Sequence, residues 1–120
     1  MTPLETEIMN VLWDHGTLSV AEVKQRLGKR KLAYTTIQTM LNILVRKGHA
    51  KRTLVERSYR YRAATSRRKA AGDTLRDLVR RMFGGSAEAL VLNLIDSKQL
   101  TPETLRRLQK LAAKAKEREK

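Results

Sequence analysis

Cysteine is absent from all 120 residues. That excludes disulfide scaffolds and thiolate-held zinc or iron–sulfur centres, and a reducing compartment poses no difficulty. No apolar run approaches the ~18 residues needed to span a bilayer. Met1 leads into a polar, capped segment rather than a charged n-region followed by an apolar h-region. The expectation is a cytoplasmic protein with no membrane insertion. Histidine is almost as scarce. His15 sits at an expected helix C-terminus, where the dipole favours a cation, and His49 follows a helix-ending glycine. Neither belongs to a metal-spaced cluster, and no Ser–His–Asp set, phosphate-cradling glycine loop or apolar carboxylate pair can be assembled. Neither an enzyme nor a cofactor or metal site is expected.

Acidic groups are outnumbered, 12 against 26 Lys plus Arg, for a formal net charge of +14. The excess is shared: residues 1–64 and residues 65–120 each carry +7. Such a field draws in phosphate polyanions, although an anionic membrane surface would respond to it too. The 41% hydrophobic content suffices for a core and is too high for a disordered polyelectrolyte. The length suits one domain or two small ones.

Helix punctuation divides the chain. Thr2, Pro3 and Glu5 supply an N-cap, an N1 proline and a capping-box acid; Leu4, Ile8, Val11 and Leu12 then recur at helical spacing, which predicts a helix over 3–15. Ser19 and Glu22 repeat the signal for a short helix over about 20–27, stopped by Gly28. A third helix is predicted from Tyr34 to Lys47, ended by Gly48. From His49 to Ala63 the period becomes alternating, which predicts a hairpin of 50–53 with 59–62 and leaves the turn type unassigned. Three helices and a basic hairpin describe a winged helix-turn-helix over residues 1–64.

On the third helix, Ile37, Met40, Leu41 and Leu44 share one side, and Thr35, Gln38, Thr39, Asn42 and Arg46 share the other. A merely solvated face would favour Glu and Lys, which form helices better. Gln and Asn can pair bidentately with adenine, Thr can touch a thymine methyl, and Arg can reach guanine or a phosphate. Base reading is therefore preferred to the bland alternative of small polar surface residues. Tyr59 and Tyr61 are expected to pack against this helix rather than to stack on unpaired bases. Lys51, Arg52, Arg57, Arg60 and Arg62 would then face outward onto DNA phosphates, with Lys29, Arg30 and Lys31 as further clamps. The alternative for each is a solvated basic face.

Residues 65–120 predict three more helices. Their apolar stripes include Leu75, Leu78, Val79 and Met82; Leu90, Val91, Leu94 and Ile95; and Leu105 and Leu108. The middle helix is apolar almost all round and must be covered on several sides. A second copy of the chain across a two-fold axis would do this, so the stripes are assigned to a dimer interface; packing on the chain's own winged domain is the alternative. The fold class is thus mainly α, a winged helix-turn-helix with a small β-hairpin wing plus a helical dimerisation domain.

Four segments, LETEIMNVLW at 4–13, AYTTIQTMLNILVRKG at 33–48, the wing with Arg57, Tyr59 and Tyr61, and FGGS at 83–86, together resemble the penicillinase-repressor family of bacterial transcription regulators. The resemblance covers nearly the whole chain. It implies a homodimeric winged-helix repressor on a palindromic double-stranded DNA operator. It also implies that a membrane-bound metalloprotease sensor pathway could relieve repression by cutting the dimerisation domain after an Asn. Asn93 falls at the matching place, but Leu94 stands where those repressors have Phe, and a plain solvent-facing Asn is the alternative. A branch of the family that senses copper through C-terminal cysteines finds no counterpart here. The competing function, a general nucleic-acid-binding or architectural protein, would use the same charge without base reading.

Overall fold

The computed structural model describes residues 1–28 and 30–118, so Lys29 lies outside the described residues. The chain orders as α1 (Pro3–His15), β1 (Leu18–Ser19), α2 (Val20–Arg26), α3 (Tyr34–Arg46), β2 (Ala50–Val55), β3 (Ser58–Ala63), α4 (Arg67–Met82), α5 (Ala87–Asp96) and α6 (Pro102–Arg118). Two compact units result, residues 1–72 and 73–120, and the division falls within α4.

Both predicted capping boxes form. Thr2 Oγ1 accepts from the Glu5 N–H at 3.2 Å while Glu5 Oε1 accepts from the Thr2 N–H at 3.1 Å, and Ser19 and Glu22 repeat this reciprocity at 3.2 and 3.1 Å. Each box satisfies donors that a helix start leaves open. The buried core takes Ile8, Met9 and Leu12 from α1, Val20 and Val23 from α2, and Ile37, Leu41 and Leu44 from α3; Leu18, Ala50 and Tyr61 complete it from the strands. Met40 and Val45 pack at its margin.

The sheet has three antiparallel strands in the order β1-β3-β2. Its third member, Leu18–Ser19, is too short to show a period in the sequence. Ser19 pairs with Arg60 across the sheet and also caps α2, so one residue ends a strand and starts a helix. The wing closes on the pair Val55 and Ser58, with Glu56 and Arg57 as a two-residue loop at φ 47° and 74°. Positive φ at both central positions is what a type I′ hairpin requires, and Asn-Gly meets it with least strain. Replacing the pair by Asn-Gly should stabilise the protein by about 1 kcal/mol, read as a raised urea midpoint at unchanged m.

Glu5 is 1% exposed and is the only buried charged residue among those described. Its carboxylate accepts from Lys47 Nζ at 3.1 and 3.3 Å, tying the start of α1 to the end of α3. Burial pushes its pKa up, but the Thr2 N–H, the Lys47 ammonium and the Thr2 hydroxyl outweigh that and hold it below the ordinary glutamate range. A depressed carboxyl stabilises the fold fully above its unfolded pKa, and that stability is lost as pH falls through the folded value. Thermal melts between pH 6 and pH 3 should therefore show an acid-side loss that E5Q flattens. At neutral pH, E5A should cost about 2 kcal/mol.

The first turns of α4 are tied to α1 within the first unit. Trp13 Nε1 donates to the Thr65 carbonyl at 2.8 Å, and Arg67 pairs with Asp14 at 2.7 Å. Ser66, Ser86 and Thr101 cap α4, α5 and α6 through their hydroxyls. Those three helices contain no buried residue.

Candidate nucleic-acid interface

The amphipathicity of α3 sets the geometry of the interface. Burying Ile37, Leu41 and Leu44 turns Thr35, Gln38, Thr39 and Arg46 outward, all exposed and none with a hydrogen-bond or ion-pair partner among the described residues. Sequence reasoning passed over Tyr34 and Thr36, also exposed at the start of α3; their place beside Thr35 was the available signal. Ala33 offers α3 no side-chain cap. The first-turn N–H groups of the helix therefore keep their positive pole, next to a shallow concavity lined by Lys24, Arg30 and Lys31.

Asn42 stands differently from its expected place. It is half-buried, and its Oδ1 accepts from both the Tyr61 hydroxyl at 2.8 Å and Arg52 Nη1 at 2.9 Å. Bidentate pairing with adenine needs that same oxygen as acceptor.

The strand register corrects the assignment of wing cations. Lys51 pairs with Arg62 and Thr53 with Arg60, which places these on one face; Arg52 opposes Tyr61 and Leu54 opposes Tyr59, which places Arg52 on the tyrosine face. Successive strand residues alternate sides, so Lys51 and Arg52 cannot point the same way. Arg52 lies over the Tyr59 ring at 4.1 Å. Only one of the two tyrosines is core: Tyr61 is 1% exposed and Tyr59 is 39% exposed.

Two further expected clamps are engaged within the protein. Arg60 pairs with Glu22 at 3.0 Å, joining β3 to α2, and Arg30 grips Glu7 through Nε at 2.7 Å and Nη2 at 3.1 Å. The Ser19 N–H, the Ser19 hydroxyl and Arg60 together hold the Glu22 carboxyl below the ordinary range. Lys31, Lys51, Arg57 and Arg62 are exposed and unpaired among the described residues. With Arg46 on the helix, these are the expected DNA-contacting cations that no partner among the described residues engages. No group of three His, Cys, Asp or Glu side chains that could hold a metal exists among the described residues.

In the second unit, Leu75, Met82, Leu92, Leu108 and Leu111 are exposed by 47–72%. Leu78, Val79, Leu90, Val91, Leu94, Ile95 and Leu105 are half-buried. Asn93 is exposed within α5, and its carbonyl accepts from the N–H and the hydroxyl of Ser97 at 2.9 and 2.8 Å. No helix among the described residues is long and apolar enough to cross a membrane.

The family model described as penicillinase repressor matches residues 1–114. The chain belongs to the penicillinase repressor family. Two relatives bear that name. One, from Bacillus licheniformis, is 28% identical over 117 residues, covering 97% of this chain and 91% of its own. The other, from Staphylococcus aureus, is 26% identical over 105 residues, covering 87% and 83%. Among solved structures, wild-type MarR from E. coli matches at TM-score 0.53 and 19% identity, covering 96% of this chain and 77% of that one. The YusO protein from Bacillus subtilis matches at TM-score 0.53 and 20% identity, covering 98% and 75%. A MarR variant complexed with operator DNA matches at TM-score 0.52 and 19% identity, covering 96% and 75%. At these identities the likeness is one of fold, and it places this penicillinase repressor family member among winged-helix proteins.

Proposed function

We propose that this protein is a DNA-binding transcriptional repressor that acts as a homodimer on a palindromic operator. The observation that carries the reading is the outer face of α3, where Thr35, Gln38, Thr39 and Arg46 are exposed and free of partners within the described residues. Gln38 has the donor and acceptor that adenine's major-groove edge matches, the threonine methyls suit thymine, and Arg46 reaches guanine or a phosphate. Lys31, Lys51, Arg57 and Arg62, exposed and unpaired among the described residues, offer charge for the DNA backbone, which positions without reading sequence. Membership of a repressor family and a fold shared with a protein solved on operator DNA support the same conclusion.

The homodimer is supported by the apolar side chains left uncovered on α4–α6, on helices with no buried residue. A two-fold axis then requires two equivalent half-sites, one helical turn or a multiple of it apart. Relief by a metalloprotease cutting between Asn93 and Leu94 has less support, because the bond lies inside α5 and the helix must open first.

Footprinting on fragments of the source genome tests the reading. The expected result is protection of a few segments with internal two-fold symmetry, and binding that falls steeply with salt. Equal affinity for every duplex would overturn it in favour of a general nucleic-acid binder.

A further inference from the structure

The wing and the recognition helix meet in a single polar cluster. Asn42 from α3, Arg52 from β2 and Tyr59 and Tyr61 from β3 are linked through Asn42 Oδ1, which takes 2.8 and 2.9 Å hydrogen bonds, and through the Arg52 guanidinium over the Tyr59 ring. The two tyrosine rings lie 6.5 Å apart and tilted by 55°. Tyr61 is buried, so its hydroxyl needs an internal partner, and Asn42 supplies it. The same oxygen takes Arg52, whose guanidinium is then held by a hydrogen bond on one side and a ring face on the other. Three chain segments are thereby locked at one angle, through the one position of the α3 outer face that has side-chain partners among the described residues.

Resting on the repressor reading above, we propose that Asn42 is a positioning residue for operator recognition. Its carbonyl oxygen clasps the wing, through Arg52 and Tyr61, at the angle that lets wing and α3 engage one duplex together; it does not read a base. Contacts made from two rigidly related elements add only when both reach their targets at once, so loosening the clasp lowers the preference for the matched duplex and leaves binding through phosphates alone.

The test uses a duplex selected from a random-sequence pool by the wild-type protein, beside a scrambled duplex of the same composition. Tyr61→Phe removes one bond of the clasp at a side chain too buried to touch DNA. It should weaken binding to the selected duplex about tenfold and leave the scrambled duplex unchanged. Asn42→Ala should lose at least as much, spread over the base pairs that α3 contacts, and the double variant should lose no more than Asn42→Ala alone. Asn42→Asp keeps an oxygen for both donors. It should lower affinity for both duplexes through its charge while preserving their ratio, and this holds as a test even if Tyr61→Phe folds poorly.

Loss confined to one base pair in Asn42→Ala and Asn42→Asp, with Tyr61→Phe binding as wild type, overturns the inference and restores Asn42 as a base reader. Failure of the wild-type protein to select any sequence overturns the repressor reading itself, which the other outcomes leave standing.

Discussion

In the proposed homodimer, placing arginine at Leu92 and Leu108 together should separate the protomers and weaken binding to a palindromic operator by two orders of magnitude or more. Both side chains are about half exposed in the single chain, at 54% and 47%, so the charges cost little there. In a two-fold interface each substitution appears twice, and four unpaired guanidinium groups would be desolvated against apolar neighbours. Two linked half-site contacts bind about 10²- to 10⁴-fold more tightly than one alone, and that advantage disappears when the link is broken. Sedimentation or light scattering reads the mass, and a gel shift with a palindromic and a single half-site duplex reads the avidity. The winged unit should melt as before, because the described residues of its core all lie within residues 1–72. A double variant that remains dimeric would show that α5 and α6 are covered in some other way.

Gln38→Ala should have the second largest effect. Gln38 is exposed on the α3 face and engages nothing within the described residues, so truncating it leaves the fold intact. A bidentate pair with adenine contributes about 1–3 kcal/mol of discrimination per half-site, and a dimer carries two. The selected duplex should therefore bind between roughly thirty- and twenty-thousandfold more weakly, while binding to a scrambled duplex stays the same. Arg62→Ala should do the opposite: it weakens all duplexes alike and reduces the salt slope by about one, because a free cation opposite a phosphate carries no sequence information. Arg60→Ala should change that slope less, since Arg60 is already engaged by Glu22.

The parts of this molecule that local chemistry controls were legible in the sequence. Capping boxes announce themselves through residues three apart, and both formed with the expected partners. The burial of Ile37, Leu41 and Leu44 follows from a helical period, and the outward position of Thr35, Gln38, Thr39 and Arg46 is its complement. The wing strands were legible as alternation, but their turn was not. Glu-Arg carries no signal for two positive φ values, and the closing pair Val55–Ser58 imposes them through the register of the whole ladder.

Side-chain partners were the least legible part, because they depend on which elements meet. Arg60 and Arg62 look alike on the strand, yet Glu22 of α2 pairs with one and no acid among the described residues pairs with the other. Asn42 looks like its neighbours on the α3 wheel, and only the approach of β2 and β3 gives its oxygen two donors. Charge, helix limits, the apolar stripe and the readable face are properties of composition and of a period along one segment, so the sequence by itself determined them. Which cations remain free for a polyanion, which tyrosine is core, and whether an amide is available or committed were decided by the tertiary structure, since each depends on groups distant in the chain brought within hydrogen-bond reach.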